Sequence, residues 1–374
     1  MRGLRHFGAE LSVDLSAIKW NYQYLIKNLR KGAELAAVVK ADAYGLGVNQ
    51  IVPALARAGC NTFFVSTLDE GIVLRALVQG ATIYVLNGPL ADQVPEFITN
   101  QLCPVLNSLE QVEHWHNGPD RSRHPELSVA LHVDTGMNRY GVSTRELEGL
   151  VLGQYNNLSV SLLMSHLACA DEPLNPLNHL QLSRFNDCVA WWKTNVSNQI
   201  TVSFANSSGI FLGPDFQFDL VRAGAALYGI NPTPSKSNQM SEVLHLKAQI
   251  LQVRCVDSPM TVGYGASHRI KGPTRIATVP VGYADGYIRS LGGRGCAFIG
   301  DLSVPVVGRV SMDAITLDVS GVPEEVARPG AVVDLIGGLR PIDDVAEDGG
   351  TISYEMLTRI STRIPRRYLC DLEH

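Results

Sequence analysis

Lys40 closes a run of small and branched apolar residues, Leu35–Val39, and Tyr44 follows four positions later in a stretch rich in Ala and Gly. A strand that buries its body and exposes its last residue delivers such a lysine to the mouth of a cavity. There the ammonium loses water, its pKa falls, and the neutral amine can form a Schiff base with an aldehyde cofactor. A lysine that merely snorkels at a strand end would carry the same local pattern. The elements around it and the wider sequence have to decide.

Short apolar runs recur at Leu35–Lys40, Thr62–Ser66, Thr82–Leu86, Cys103–Leu106, Ser128–Val133, Ser159–Met164, Ile200–Phe204 and Leu220–Ala223. Amphipathic stretches such as Gln50–Ala58, Leu68–Val78, Leu109–His116 and His179–Thr194 lie between them. Eight strands alternating with helices predict a (β/α)8 barrel, the fold that gathers its chemistry at the carboxyl ends of its strands. After Ile230 a polar, Pro-containing connector, Asn231–Asn238, leads into β-rich runs at Leu244–Val256, Ile276–Val281, Ser303–Val310, Ile315–Val319 and Val332–Ile336. These predict a mostly antiparallel β domain, with a small barrel as one arrangement, and a helix over Ser353–Arg363. The expected division is a barrel over 1–233 and a β domain over 234–374, an α/β plus β protein.

At 374 residues the chain exceeds the usual single-core limit. Its 45% hydrophobic and 18% charged content is that of an ordinary globular enzyme. The net charge of −5, with no Lys/Arg block, argues against a nucleic-acid partner and for a small molecule. Seven widely spaced cysteines without a C-x-x-C pair argue for reduced thiols, against a disulfide frame or metal site, and so for the cytoplasm. The basic N-terminal stretch has no apolar core after it; a periplasmic location would need a leader already removed. No apolar run is long enough to span a bilayer.

The run VVKADAYGLG at 38–47 resembles the pyridoxal-phosphate lysine segment of bacterial alanine racemases. Seven more segments resemble the same family, in the family's order: HVDTGMNRYG at 132–141, SHLACAD at 165–171, FANSSG at 204–209, VRAGAALYG at 221–229, VGYG at 262–265, VGYADGY at 281–287 and GRVSMD at 308–313. The resemblance implies an isomerase of fold-type III that interconverts L- and D-alanine, feeding cell-wall peptidoglycan or degrading D-alanine. Pyridoxal phosphate makes the α-proton labile by withdrawing electrons. Inversion then needs one base on each side of its plane.

By this resemblance Lys40 holds the cofactor and serves one face, and Tyr264 serves the other. A phenol of pKa about 10 needs roughly 3–4 kcal/mol of help to act near pH 7 to 8. A Tyr264–His166–Arg222 chain would supply it. Arg222 is further implied to donate to the cofactor's ring nitrogen; a guanidinium cannot surrender its proton, so that nitrogen stays neutral. Tyr44, Ser207, Tyr354 and the backbone at Gly224 and Ala225 resemble the phosphate cradle, with Asn206 beside it. Arg139 and Met312 resemble the grip on the substrate carboxylate, and Tyr283 narrows the pocket. Asp171, Arg289, Arg309 and Ile352 match a polar access corridor. The resemblance also implies a head-to-tail homodimer with shared sites.

One position departs. His132 stands where most family members carry a lysine that can be carbamylated. Histidine cannot form that stable anion, so Arg139 must be oriented by another acceptor, by a bound anion, or by His132 itself, and no bicarbonate dependence is expected. A broad-specificity or serine racemase is the nearest alternative. A decarboxylase of the same fold is disfavoured because Cys296 is followed by Ala-Phe-Ile rather than an acidic motif. His114-Trp-His116 is read as a surface helix and Gly292–Gly295 as a loop. The acidic stretch 343–350 lacks EF-hand periodicity.

Overall fold

The structure is a computed structural model that describes residues 4, 7–118, 127–151, 158–257 and 259–370. After a first strand, β1 (Ala9–Asp14), the chain forms β2 (Glu34–Val38), β3 (Thr62–Val65), β4 (Thr82–Val85), β5 (Cys103–Leu106), β6 (Val129–His132), β7 (Val160–Met164), β8 (Thr201–Asn206) and β9 (Leu220–Ala223). β2 to β9 pair in parallel and in sequence order, and β9 returns to β2 through Glu34–Leu220 to Ala37–Ala223, closing the barrel. Strands such as Thr62–Val65 and Cys103–Leu106 read as unbroken apolar runs because side chains on both faces are covered, one by the barrel interior and one by the helices. All eight expected barrel strands are present within a residue or two of their predicted limits.

The intervening helices have local causes. Thr67 caps the helix Leu68–Leu77 and is capped in return by Glu70, three residues on. Ser108 caps Leu109–His116, and Asn175 caps Pro176–Asn195.

Beyond the barrel come β10 (Leu244–Gln249), β11 (Gln252–Val256), β12 (Met260–Val262), β13 (His268–Ile270), β14 (Thr274–Val279), β15 (Cys296–Ile299), β16 (Leu302–Pro305), β17 (Ile315–Asp318), β18 (Val332–Ile336) and β19 (Arg366–Leu369). Among the described residues they form open sheets rather than a second barrel: a six-stranded sheet, a three-stranded sheet β11-β14-β17, and the hairpin β12-β13. The run expected as one strand over 244–256 breaks after Gln249, and β10 and β11 enter different sheets. The last helix ends at Arg359, short of Arg363, and the acidic stretch forms a helix, Ile342–Gly349.

The six-stranded sheet has the order β16-β15-β18-β10-β1-β19. Its interior strand β1 comes from the start of the chain, which the 1–233 division counts with the barrel. Ala9, Leu11 and Val13 alternate with polar residues and are buried, so the segment carries the period-2 signature of a half-buried strand. It pairs antiparallel with β10 and parallel with β19. Leu11→Ala should therefore cost about 2–5 kcal/mol, read as a lower denaturant midpoint at unchanged slope.

Candidate active site

The carboxyl ends of β2, β6, β7, β8 and β9 open on one cavity of about 840 Å³, reached by Lys40, His132, His166, Asn206, Ser207, Arg222, Gly224 and Ala225. Tyr354 and Ile352 close one side from the C-terminal part of the same chain. Strand ends gather these side chains because a parallel barrel points every carboxyl terminus to one rim.

Lys40 is followed by four residues with positive φ, Ala41 to Tyr44, at 52° to 58°. This single left-handed turn brings both Lys40 and Tyr44 to the cavity. Each such residue costs roughly 1–2 kcal/mol, so the turn needs support. Asp42 Oδ1 accepts from Val48 N at 2.7 Å, Arg366 donates to Gly45 O at 3.1 Å, and Tyr368 donates to Leu46 O at 2.9 Å. Burial lowers the Lys40 pKa below its ordinary value; Arg139 adds to this and Glu70 opposes it.

Arg222 is 3% exposed and lies under the site, its Cζ 6.0 Å from the Phe64 ring centroid. It donates to Ser203 Oγ, to Ser165 O at 2.6 Å and to His166 Nδ1 at 3.1 Å. Burial brings its pKa down to about 9, which leaves a cation at neutral pH. A guanidinium only donates, so His166 Nδ1 must accept, and the ring proton resides on Nε2. Burial, then the field of Arg222, pushes the His166 pKa well below its ordinary value and keeps the ring neutral.

At the other end, Ser207 Oγ accepts from Gly224 N at 3.0 Å and Ala226 N at 3.3 Å. A Cβ on Gly224 would lie 2.3 Å from Tyr44 Oη, so this close approach requires glycine. Ala225 N, between the two bonded amides, has no acceptor among the described residues and opens the short turn Ala225–Tyr228. Burial keeps the Tyr44 phenol protonated, and burial pushes the Tyr354 phenol up to about 12. A free amide, two phenol donors and a serine form a neutral donor set that suits a phosphate. Asn206 lines the cavity, its Oδ1 accepting from Gly209 N at 2.9 Å. With Lys40 across the same space, these residues fit a phosphorylated aldehyde such as pyridoxal phosphate.

His132 ends β6, and its Nδ1 lies 2.9 Å from Asn107 Oδ1. The Asn107 amide nitrogen already donates to Leu86 O at 2.8 Å and Val105 O at 3.0 Å. Its oxygen therefore faces the ring, His132 carries its proton on Nδ1, and the Nε2 lone pair is left over. Burial, then Arg222, pushes the His132 pKa down to about 3. Arg139 lines the same cavity with its Cζ 5.7 Å from the Tyr140 ring centroid, and no carboxylate pairs with it among the described residues. Neither Asn107 nor Glu70 was singled out from the sequence, although Thr67-Leu-Asp-Glu70 carries the capping-box spacing.

Three expected site residues are not in this cavity. Tyr264, Met312 and Tyr283 are 70%, 53% and 43% exposed on the C-terminal part. They are near one another: Tyr283 N donates to Ser311 O, and Gly265, next to Tyr264, packs against the Arg309 guanidinium. Of the expected corridor, Ile352 borders the cavity, whereas Asp171, Arg289 and Arg309 do not.

The chain is thus a closed parallel barrel with a largely desolvated lysine on its rim, followed by a β-rich part. The family models for the alanine racemase N-terminal and C-terminal domains match residues 13–232 and 243–368. The chain belongs to the alanine racemase family. It is 48% identical to an alanine racemase of Rhodospirillum rubrum over 96% of both chains, and 43% identical to a catabolic alanine racemase of Mesorhizobium japonicum over 97% of this chain and 93% of that one. Among solved structures, it resembles alanine racemase from Bartonella henselae with covalently bound pyridoxal phosphate at TM-score 0.90 and 35% identity, covering 97% and 99% of the two chains.

The neutral His132 sets a pH dependence. Unfolded, its pKa is about 6.5. Below that value the unfolded chain gains a proton that the folded chain refuses, so stability is complete above pH 6.5 and is lost as pH falls towards 3. From pH 7 to 5 this one group should remove about 2 kcal/mol. Denaturant melts of His132→Gln should show a pH slope shallower than wild type by that amount.

Proposed function

We propose that this chain racemises L- and D-alanine with pyridoxal phosphate, by two bases on opposite faces of the bound substrate. The observation that carries the reading is Lys40, desolvated on the barrel rim in the same cavity as Tyr44, Ser207, Tyr354 and the free amide of Ala225 beside Gly224. Lys40 would hold the cofactor, with Asn206 beside the phosphate cradle. The chemistry supplied by the bound cofactor is electron withdrawal, which acidifies the α-proton of the substrate.

Lys40 Nζ, whose pKa burial lowers, takes or returns that proton on one face. Tyr264 Oη acts on the other. The phenolate is favoured by the Nε2 proton of His166, which Arg222 orients from behind and supports with its charge. Arg222 Nε has no protein acceptor among the described residues and would be the donor to the cofactor's ring nitrogen. Arg139, a cation without a carboxylate partner among the described residues, receives the substrate carboxylate, with Met312 beside it and Tyr283 narrowing the space for the side chain. Enantiomers have equal free energy, so supply and demand alone decide whether D-alanine is made or consumed.

Tyr264, Met312 and Tyr283 lie outside the cavity that Lys40 reaches. The reading therefore includes a homodimer in which residues 234–374 of one copy complete the barrel site, 1–233, of the other. Seven free cysteines support a cytoplasmic location. No helix among the described residues is long and apolar enough to cross a membrane.

With cofactor, L-alanine should yield D-alanine; release of carbon dioxide without inversion would establish decarboxylation instead. Lys40→Ala should lower the rate by at least ~10²–10⁴-fold. Tyr264→Phe should slow α-deuterium exchange from L-alanine far more than from D-alanine. Co-refolding the two inactive variants in equal amounts should restore about a quarter of the wild-type activity, because random pairing makes half the dimers mixed and each mixed dimer holds one intact site. No recovery would overturn the shared site.

A further inference from the structure

We propose that Glu70 is the positioning residue for Lys40, holding the peptide between Lys40 and Ala41 so that the amine enters the cavity. The proposal rests on the reading of Lys40 as the cofactor lysine and adds a residue that the family motifs quoted above do not contain.

Glu70 lies in the first turn of the helix Leu68–Leu77, after β3. Its Oε2 accepts from Ser66 N at 2.7 Å and Thr67 N at 3.2 Å, the ordinary reach of a capping box. Its Oε1 does something a cap does not require: it accepts from Ala41 N at 2.6 Å, 29 residues away. β2 and β3 are neighbours, paired at Ala37–Phe63 and Val38–Phe64, and their ladder runs out at Val39 N to Phe64 O. The carboxylate thus replaces the next rung with a side chain and staples the two strand ends together at the rim.

The place of this contact is what matters. Ala41 is the first of the four left-handed residues. The other supports act further along the turn, from Asp42, Arg366 and Tyr368. Among the described residues, Glu70 alone holds the Lys40 peptide from a separate element by a side chain. Its charge also acts on the amine. Glu70 favours the ammonium and Arg139 disfavours it, while His166 across the cavity is neutral. One carboxylate therefore fixes the peptide that carries Lys40 and opposes, in part, the burial that lowers its pKa.

Three variants of the full chain separate these effects. Glu70→Asp keeps an acidic cap but is one methylene too short to reach Ala41. Glu70→Gln keeps the length, loses the charge, and presents an amide N–H to amide donors. Glu70→Ala removes everything. Each is stripped of cofactor and titrated with pyridoxal phosphate across pH, following the absorbance of the protein-bound cofactor, with thermal melting of the stripped chain as control.

Glu70→Asp should weaken cofactor affinity by roughly tenfold or more, the scale of one charge-assisted hydrogen bond, with a melting temperature close to wild type. Glu70→Gln should shift the pH midpoint of capture towards acid, because the amine becomes neutral at lower pH. Glu70→Ala should show both effects. Wild-type affinity in Glu70→Asp together with an unmoved midpoint in Glu70→Gln would overturn the proposal, as would losses of affinity that merely track losses of melting temperature. If the wild-type chain captures no cofactor, the reading of Lys40 falls as well; if it does and the variants match it, only the role of Glu70 falls.

Discussion

The cavity is organised around a lysine held where being charged is costly. Burial strips water from the Lys40 amine, and Arg139 adds repulsion. The same economy of negative charge extends across the site. Arg222 is buried without a carboxylate partner among the described residues, and both His132 and His166 are kept neutral. The nearby carboxylates are engaged elsewhere, Glu70 with Ala41 N and Glu355 with Arg359, so Arg139 and Arg222 favour negative charge brought by ligands. A phosphate and an amino-acid carboxylate are the anions such a field favours. Burial lowers the Lys40 pKa and keeps both imidazoles neutral, so their tautomers are set by hydrogen bonds and not by titration.

Tautomer control runs outward from backbone. Arg222 is fixed by Ser165 O and Ser203 Oγ, and it fixes His166. Asn107 is fixed by two strand carbonyls, and it fixes His132. In both cases a side chain with unambiguous hydrogen-bonding direction decides where an imidazole carries its proton. His132 consequently offers a lone pair on the wall that Arg139 shares. A neutral acceptor there is compatible with an arginine left free for a substrate, whereas a fixed anion would compete for it.

The barrel was legible because a closed parallel sheet buries both faces of every strand, and the sequence then shows eight plain apolar runs separated by helical periodicity. Lys40, His166, Asn206, Ser207, Arg222, Gly224 and Ala225 were legible as residues at or just beyond the ends of such runs. The second part was read less well. Its strands are short, and β12, β13 and β19 have too few residues for a clear alternation. β1 does alternate, but its partners lie more than two hundred residues away, and nothing local announces them. Glu70 and Asn107 act through backbone of neighbouring strands, so their importance depends on barrel register and is not carried by their own segments. Tyr264, Met312 and Tyr283 sit on a surface of one chain, and sequence resemblance alone connected them with the cavity.

The position of β1 has a consequence for how the protein comes into being. β1, which precedes the barrel in the chain, docks between β10 and β19, which both follow it. Until residues 366–369 emerge, one edge of β1 stays unpaired and the Arg366 and Tyr368 anchors of the left-handed turn are missing. Pairings of such long sequence separation are slow to close. Closing the six-stranded sheet therefore waits on residues 366–369, and the Arg366 and Tyr368 anchors of the left-handed turn wait with it.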